Sequence, residues 1–597
     1  MTLFAGIVDP EAAHVSQFIE GSRKLAPELP WLTHANTRLG RLSLTLDCAP
    51  QSPYSTYQDA TGRAVFVLGD TLPQATTDNA TRLNEQCLER GPEMLARQNG
   101  YYIAGIVDEH GAIYLAADQL GLMPLYYWSG PEHFCFSTSP NAFLSHPCFA
   151  AKPDLMGVAG ILLTMHATAN RTTWQDVSRL PPGHLLRWRA GEGVRLTDVN
   201  SLKAHDRYFG WTLSRCQGLI QNSFNEAVKR LEKLGETSVL LSGGLDSRLV
   251  AGCLRWHASY KVPVITLGEP SDYEMQCARR VAKSLDWPMH PVPVNLDDYP
   301  AWAPVQTRLE GLQSSFVELM WWQALKTLHS LKPRIMTGLV GDATMSTQLL
   351  RFGESKDTGE YSFTPQFDRM NRYGFSASDI SRLMRQPEIG ETVVEELNKT
   401  WAAYDGLPFQ KCWLFDLQHR QRLHVGPAAW RLSFGAWPTL PYADTELVKI
   451  MAGMAVPVTG DRHAQHEMLK HKFPKLAVLP LDRNSKDITP VVPSRSWVLK
   501  SSFSRIFEAL TQQNNIERRQ YVRHFDVNGP GWRAVRELSE NSRPAAEKIF
   551  DHNALTAALP PFGPPLLTPD PIIDGARYKT LIGLMLKFGM TIADKRT

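Results

Sequence analysis

One stretch constrains the fold of this chain more than any other: SVLLSGGLDSRLVAGCL, residues 238–254. A short apolar run enters a Ser-Gly-Gly turn, and a second apolar run with helical spacing leaves it. Strand, tight turn, helix is the opening of a βαβ unit. The pattern then repeats, with the strand VPVITLG at 262–268 followed by the helix DYEMQCARRVAKSLDW at 272–287. Alternation of this kind implies a parallel, doubly wound sheet. The helix-like run WTLSRCQGLIQNSFNEAVKRLEKLG precedes it, and further helical segments follow to about residue 455.

The first 200 or so residues follow another rule. RAVFVLGD, YYIAGIVDE, AIYLAAD and HFCFSTS are β-rich runs broken by Gly, Pro, Asn and Asp, with helical stretches near 10–24 and 79–98. This predicts a layered α+β sandwich. The expected domains are 1–203, 204–545 and a C-terminal extension 546–597, the last a proline-rich extended stretch ending in the short apolar helix KTLIGLMLKFGM. The 63 basic and 60 acidic residues nearly cancel, which argues against nucleic acid or an anionic membrane as partner. Eight scattered cysteines show no CxxC pair or metal-ligand spacing and read as reduced, buried thiols. The N-terminus lacks signal-peptide character, and the most apolar run, GVAGILLTMHA at 157–167, is too short to span a bilayer and reads as a core helix. The expectation is a soluble cytoplasmic protein without membrane insertion.

The turn itself suggests chemistry. Glycines let backbone N–H groups approach an anion, and a helix N-terminus adds its positive end. Leu241, Ser242, Gly243, Gly244 and Ser247 would form this phosphate cradle, although no Gly-Lys-Ser/Thr of the Walker type follows. Asp246 would repel phosphate unless a cation lies between them, and Mg²⁺ fits that need. The competing reading is a plain turn in which Asp and Ser cap the helix.

SGGLDS after a strand resembles the pyrophosphate loop of the adenylating ATP pyrophosphatases, most closely the asparagine synthetase family. That resemblance implies ATP cleaved between its α and β phosphates, a carboxylate activated as an acyl-adenylate, and attack by an amine. It places Leu267 and Gly268 near the adenine, with Asp272 and Glu274 near the nucleotide pocket. MTGLVGDATMS, 336–346, resembles the second metal segment of the family, with Gly338 in the turn and Asp342 completing the Mg²⁺ site; Ala343 stands where the family usually has Glu. LPYADTELVKIMAGMAVP at 440–457 is similar to the Arg-Pro-Phe-Leu-Asp segment, and LPLDRNSKDITP falls where the catalytic lysine lies, which makes Lys486 the candidate. Taken alone, Asp342 reads as a turn residue and Lys486 as a solvated surface lysine.

The first half resembles the class II glutamine amidotransferase domain, an N-terminal-nucleophile fold, through AADQLGLMPLYYWSGPEHFCFSTSPNAF at 116–143 and RLPPGHLL at 179–186. Active members begin Cys-Gly-Ile. Here FAGIVD, 4–9, keeps Gly6 and Ile7 but has Ala5 in the cysteine position. Alanine forms no thioester. Thr2 is out of register as a substitute nucleophile, so the domain reads as a scaffold without glutaminase activity.

The amine then comes from elsewhere. Two branches of the family do this, the β-lactam synthetases and the lasso-peptide cyclases, which close a macrolactam between an Asp or Glu side chain and the N-terminal amine of a precursor peptide. The β-lactam branch carries a Tyr–Glu dyad; here Leu339 takes the Tyr position and RLHVGPAAWRLSF, 422–434, offers no Glu. A free α-amine, with its pKa near neutrality, needs less help from a base. The expected function is lasso-type macrolactam formation. The family analogy adds a precursor peptide, a leader peptidase and a leader-binding protein as partners. A small-molecule amide synthetase, a glutamine-independent asparagine synthetase-like protein, a tRNA-modifying pyrophosphatase and a non-catalytic binding protein are the alternatives. Trp321, Trp322, Trp413, Trp430 and Trp437 either line a substrate cavity or pack as ordinary core; at helical spacing, core is the favoured reading.

Overall fold

The strand Leu3–Val8 is buried at all six positions, which is what a strand covered on both faces looks like. Its alternate side chains serve two layers. Phe4 points into a seam between two sheets, 5.4 Å from Phe66 and 5.8 Å from Phe136 between ring centroids, while Leu3, Ala5 and Ile7 join a second apolar cluster with Phe18 and Phe143. The structure, a computed structural model, describes residues 2–73, 78–314, 316, 319–346, 361–482, 488–495, 497, 525–566 and 571–593.

Two six-stranded antiparallel sheets build the first part. One has the order Ser178–Arg179, Tyr126–Ser129, Phe134–Ser137, Leu3–Val8, Leu42–Cys48, Thr33–Leu39; the other runs Gly193–Asp198, His184–Arg189, Ile113–Ala117, Asn99–Val107, Ala64–Leu72, Tyr54–Gln58. The helix Ala12–Arg23 covers the first sheet, and Asn79–Arg90 covers the second. The result is a layered sandwich of the N-terminal-nucleophile type. The run expected as a core helix forms Leu155–Thr164, buried on nearly every side.

The second part is a five-stranded parallel sheet in the order Met289–Val292, Val264–Leu267, Thr237–Leu240, Arg334–Met336, Trp437–Thr439. The strand order reverses direction at Thr237–Leu240. A crevice opens there at the carboxyl ends of the strands, where ligands bind in sheets of this kind. The fold class expected from the sequence is the one observed.

The two parts share their interior. Leu241, Leu245 and Tyr442 belong to the same apolar cluster as Phe4 and Phe66. Polar contacts cross the boundary as well: Arg334 pairs with Asp70 through both terminal guanidinium nitrogens, and Asp444 accepts from Asn99 at 2.9 Å. The final helix, Pro571–Ala593, is longer than the short one expected, and Lys587 on it donates to Thr173 Oγ1 and, at 2.6 Å, to the carbonyl of Gly311. Among the described residues no helix is long and apolar enough to cross a membrane.

Candidate active site

The strand Thr237–Leu240 ends against the turn, and the helix Leu245–His257 starts from it. Ser242 and Ser247 close the loop on itself. Ser247 Oγ accepts from the Ser242 amide at 3.0 Å and lies 2.8 Å from Ser242 Oγ, and Gly244 N–H donates to Ser242 Oγ at 3.2 Å. Gly244 leaves the helix without a side-chain cap, so its first-turn amides face the crevice as an anion site. Gly243 is held in place by its neighbours: a Cβ there would lie 2.8 Å from that of Asp482 and 3.0 Å from that of Cys277. Arg248 fixes the loop from beneath. It is fully buried and donates to the carbonyls of Leu476 and Leu479, each at 3.0 Å, and of Gly243 at 3.3 Å, while burial pushes its guanidinium down to about 10.

Asp246 does not cap the helix. Its Oδ1 accepts from Arg462 and, at 2.6 Å, from Gln465 Nε2, and its backbone carbonyl accepts from Tyr442 at 3.2 Å. The second loop, 337–346, lies directly against the first. A Cβ on Gly338 would sit 2.7 Å from the Ser247 amide, and one on Gly341 would sit 2.8 Å from Asp246 Oδ1. Asp342 follows in the one-turn helix Gly341–Thr344, which Val340 enters with φ 57°.

Both aspartates line one cavity of about 570 Å³. Leu241, Ser242, Gly244, Ser247, Leu267 and Gly338 line it with them. Gly243, Gly268 and Asp272 do not: Gly243 faces Asp482 and Cys277, Gly268 makes a turn at φ 125°, and the buried Asp272 accepts from the Glu269 amide at 2.6 Å. Glu274 does line the cavity. Burial, then Asp482, then Asp272 push its carboxyl up to about 8. Met320, Trp321, Leu339 and Val425 give the cavity an apolar wall. Of the five tryptophans only Trp321 reaches it; Trp322, Trp413, Trp430 and Trp437 are buried in the core. Lys486 lies outside the described residues.

Spacing along the sequence gave no sign of Arg462, Gln465 or Arg248. Arg462 and Gln465 reach Asp246 across 216 and 219 residues. Arg248 is one of two arginines in its helix, and the structure buries it while leaving Arg255 exposed. Burial alone would lower the Arg462 pKa, but Asp246 and then Asp342 outweigh it and raise it.

At the amidotransferase-like position Ala5 sits in mid-strand, 0% exposed and paired with Thr45 and Ser137. Thr2 is also buried, and its amide donates to Ser433 Oγ at 2.8 Å. Asp9, His14 and His146 nearby have metal-ligand spacing. However, His146 Nδ1 accepts from the Cys148 amide at 3.2 Å, so Nε2 carries the proton and donates to Asp9 at 2.9 Å. That leaves no lone pair on Nε2 for a metal, and the trio reads as a hydrogen-bonded corner.

Residues 73–197 match the glutamine amidotransferase domain family, and residues 219–317 match the asparagine synthase family. The chain is 26% identical over 188 residues to glutamine-hydrolyzing asparagine synthetase 3 of Bacillus subtilis, covering 31% of this chain and 30% of that one. It is 23% identical over 210 residues to a putative glutamine-hydrolyzing asparagine synthetase 1 of Methanocaldococcus jannaschii, covering 35% and 36%. The chain thus spans about a third of the length of these curated relatives. Among solved structures, the glutamine phosphoribosylpyrophosphate amidotransferase of B. subtilis is 12% identical with a TM-score of 0.21, covering 49% of this chain and 66% of that one. The antiparallel sandwich of this chain is thus similar to a glutamine amidotransferase domain, and the start of its parallel-sheet part is similar to asparagine synthase.

Proposed function

We propose that this protein makes an amide bond with ATP, releasing AMP, and takes its amine from the substrate rather than from glutamine. One observation carries the reading: Asp246 and Asp342 face a single cavity beside a glycine cradle, while Ala5 is sealed in a strand. The residues suit Mg²⁺. Both carboxylates stand where two glycine-rich loops meet, so closely that a Cβ on Gly338 would collide with the Ser247 amide and one on Gly341 with Asp246 Oδ1. Asp246 and Asp342 would hold the ion, which neutralises phosphate charge when bound.

The chain's own groups divide the remaining work. The first-turn amides after Gly244 bind phosphate oxygens. Arg462 offers a cation at the cavity wall beside them. Leu267 lies where a base would pack, and Met320, Trp321, Leu339 and Val425 exclude water from the acyl substrate. Lys486 is proposed to stabilise charge on the reacting centre.

The favoured substrate is a ribosomally made precursor peptide, closed to a macrolactam between an Asp or Glu side chain and the N-terminal amine. A leader peptidase and a leader-binding protein would act alongside. Leu339 in place of a tyrosine supports this, because a free α-amine needs little deprotonation at neutral pH. A second reading, a β-lactam-synthetase-like enzyme acting on a small molecule, is favoured by the volume: about 570 Å³ is the size of an ordinary small-ligand site.

The test incubates protein with Mg²⁺-ATP and a candidate leaderless peptide, following peptide mass and AMP. Loss of one water with AMP release is expected, and Asp246→Ala should lower the rate on the order of 10³-fold. AMP release only with small amino acids, and no change in peptide mass, would establish the second reading instead.

A further inference from the structure

Arg462 belongs to neither of the loops that carry the two aspartates. It precedes the helix His463–Lys472, and Gln465 stands one turn further on. Both donate to the same oxygen, Oδ1 of Asp246, and Gln465 also reaches the Gly341 carbonyl beside Asp342 at 3.4 Å. The backbone that presents Arg462 is strained. Asp461 and Arg462 are consecutive non-glycine residues at φ 47° and 60°, and both line the cavity. Strain of this kind persists where the surroundings enforce it, and it gathers at switch regions. The Arg462 side chain is 13% exposed and that of Asp246 21%, so the pair is only partly screened by water.

Two carboxylates at the mouth of an anion-binding loop disfavour each other unless a cation lies near. Among the described residues Arg462 places a guanidinium there, on Asp246 and near enough to feel the charge of Asp342. We propose that Arg462 is the resident counter-ion of the carboxylate pair, and that it competes with a divalent cation for Asp246. In the metal-free protein the guanidinium offsets one of the pair's two charges, on Asp246 by direct contact. Metal binding breaks the Arg462–Asp246 contact and turns the guanidinium toward the cavity. Metal and guanidinium thus become partners on the phosphates only after exchanging places on the carboxylate. The inference rests on Asp246 and Asp342 being the metal-holding residues. Linkage makes the competition reciprocal: whatever Arg462 subtracts from metal affinity, the metal subtracts from the ion pair.

The experiment uses the full chain without nucleotide and Mn²⁺ as probe, with binding read by the electron paramagnetic resonance of free Mn²⁺. Arg462→Met should bind Mn²⁺ about tenfold more tightly than the unaltered protein. In EDTA it should melt at a lower temperature than the unaltered protein, and added Mn²⁺ should raise its melting temperature by more. Asp246→Asn should abolish binding in both backgrounds. If Arg462→Met does not fold, Arg462→Gln, which keeps a donor but loses the charge, should move Mn²⁺ affinity in the same direction. Equal Mn²⁺ affinity with and without Arg462, still lost in Asp246→Asn, would overturn the competition alone. Mn²⁺ binding that is absent throughout, or indifferent to Asp246→Asn, would remove the metal-site reading and the inference with it.

Discussion

Ala5 and Asp246 stand at the two positions where a chain of this kind can carry chemistry, and the fold treats them in opposite ways. Ala5 lies in the middle of a strand, closed off by Leu3, Ile7, Phe18 and Phe143. Asp246 lies in the first turn of a helix, beside a cavity and under two donors. The sandwich around Ala5 is nevertheless as continuously packed as the sheet around Asp246, and the two share an apolar cluster. The difference teaches that a layered fold needs its core and not its nucleophile, whereas an open crevice lined with charges is kept only where something binds.

The largest effect that would sharpen this contrast is on stability. Phe66 packs against Phe4 and Phe136 at the centre of the sandwich, in the cluster that also contains Leu245. Phe66→Ala should destabilise the protein by about 3–5 kcal/mol. Both sheets should lose structure in one denaturation transition; two separate transitions would show that the sandwich stands apart from the synthetase-like half.

Gly338→Ala probes the open side. Its Cβ would meet the Ser247 amide, a backbone atom that moves only with the loop. A loss of about 1–3 kcal/mol in stability is expected, with weakened ATP binding in calorimetry. Unchanged ATP affinity would mean the two loops need not touch.

A third prediction uses pH. Glu274, held up to about 8 by burial, then Asp482 and Asp272, keeps its proton at neutral pH, while the unfolded chain releases it in the usual carboxylate range. The folded state therefore binds the extra proton across that window. Its contribution to stability is full below the usual range and is lost as pH rises through about 8. The unaltered protein should lose melting temperature relative to Glu274→Gln between pH 5 and about 8. Parallel curves would show that Glu274 ionises normally.

The smallest expected change is a null one. Ala5→Cys restores the thiol but not the access, so no glutamine hydrolysis should appear; a thiol reagent, which reaches Cys148 because that thiol is exposed rather than buried as expected, should modify no additional thiol in the folded variant. Glutaminase activity in this variant would break the comparison.

The sequence made some of this legible and hid the rest for physical reasons. Local signals worked: the strand, Gly-Gly turn and helix at 238–254 form as read, because each depends on neighbours within a few residues. The strands Arg334–Met336 and Trp437–Thr439 were not seen, since three residues show no periodicity and about a hundred residues separate them. Motif resemblance pointed to Asp246 and Asp342, which line one cavity. It did not point to their cationic partner, since Arg462 sits in an unremarkable Gly-Asp-Arg turn whose meaning comes only from where the chain has travelled. Asp272 shows the opposite case. An acidic residue next to a nucleotide-like segment suggests binding, yet its carboxylate closes a local turn.

Thr2 hands its amide to Ser433 and its carbonyl to Trp430, and the strand that begins at Leu3 is sealed beneath them. On the ribosome this has a temporal meaning. Some 430 residues separate the partners, and at ~5–20 residues per second the earliest strand waits roughly 20 to 90 s for the residues that will lock it. Its two edges are paired much earlier, by Leu42–Cys48 and Phe134–Ser137, so what waits is the end of the strand at Thr2. A truncated product that stops short of Trp430 would leave the Thr2 amide and carbonyl without these partners.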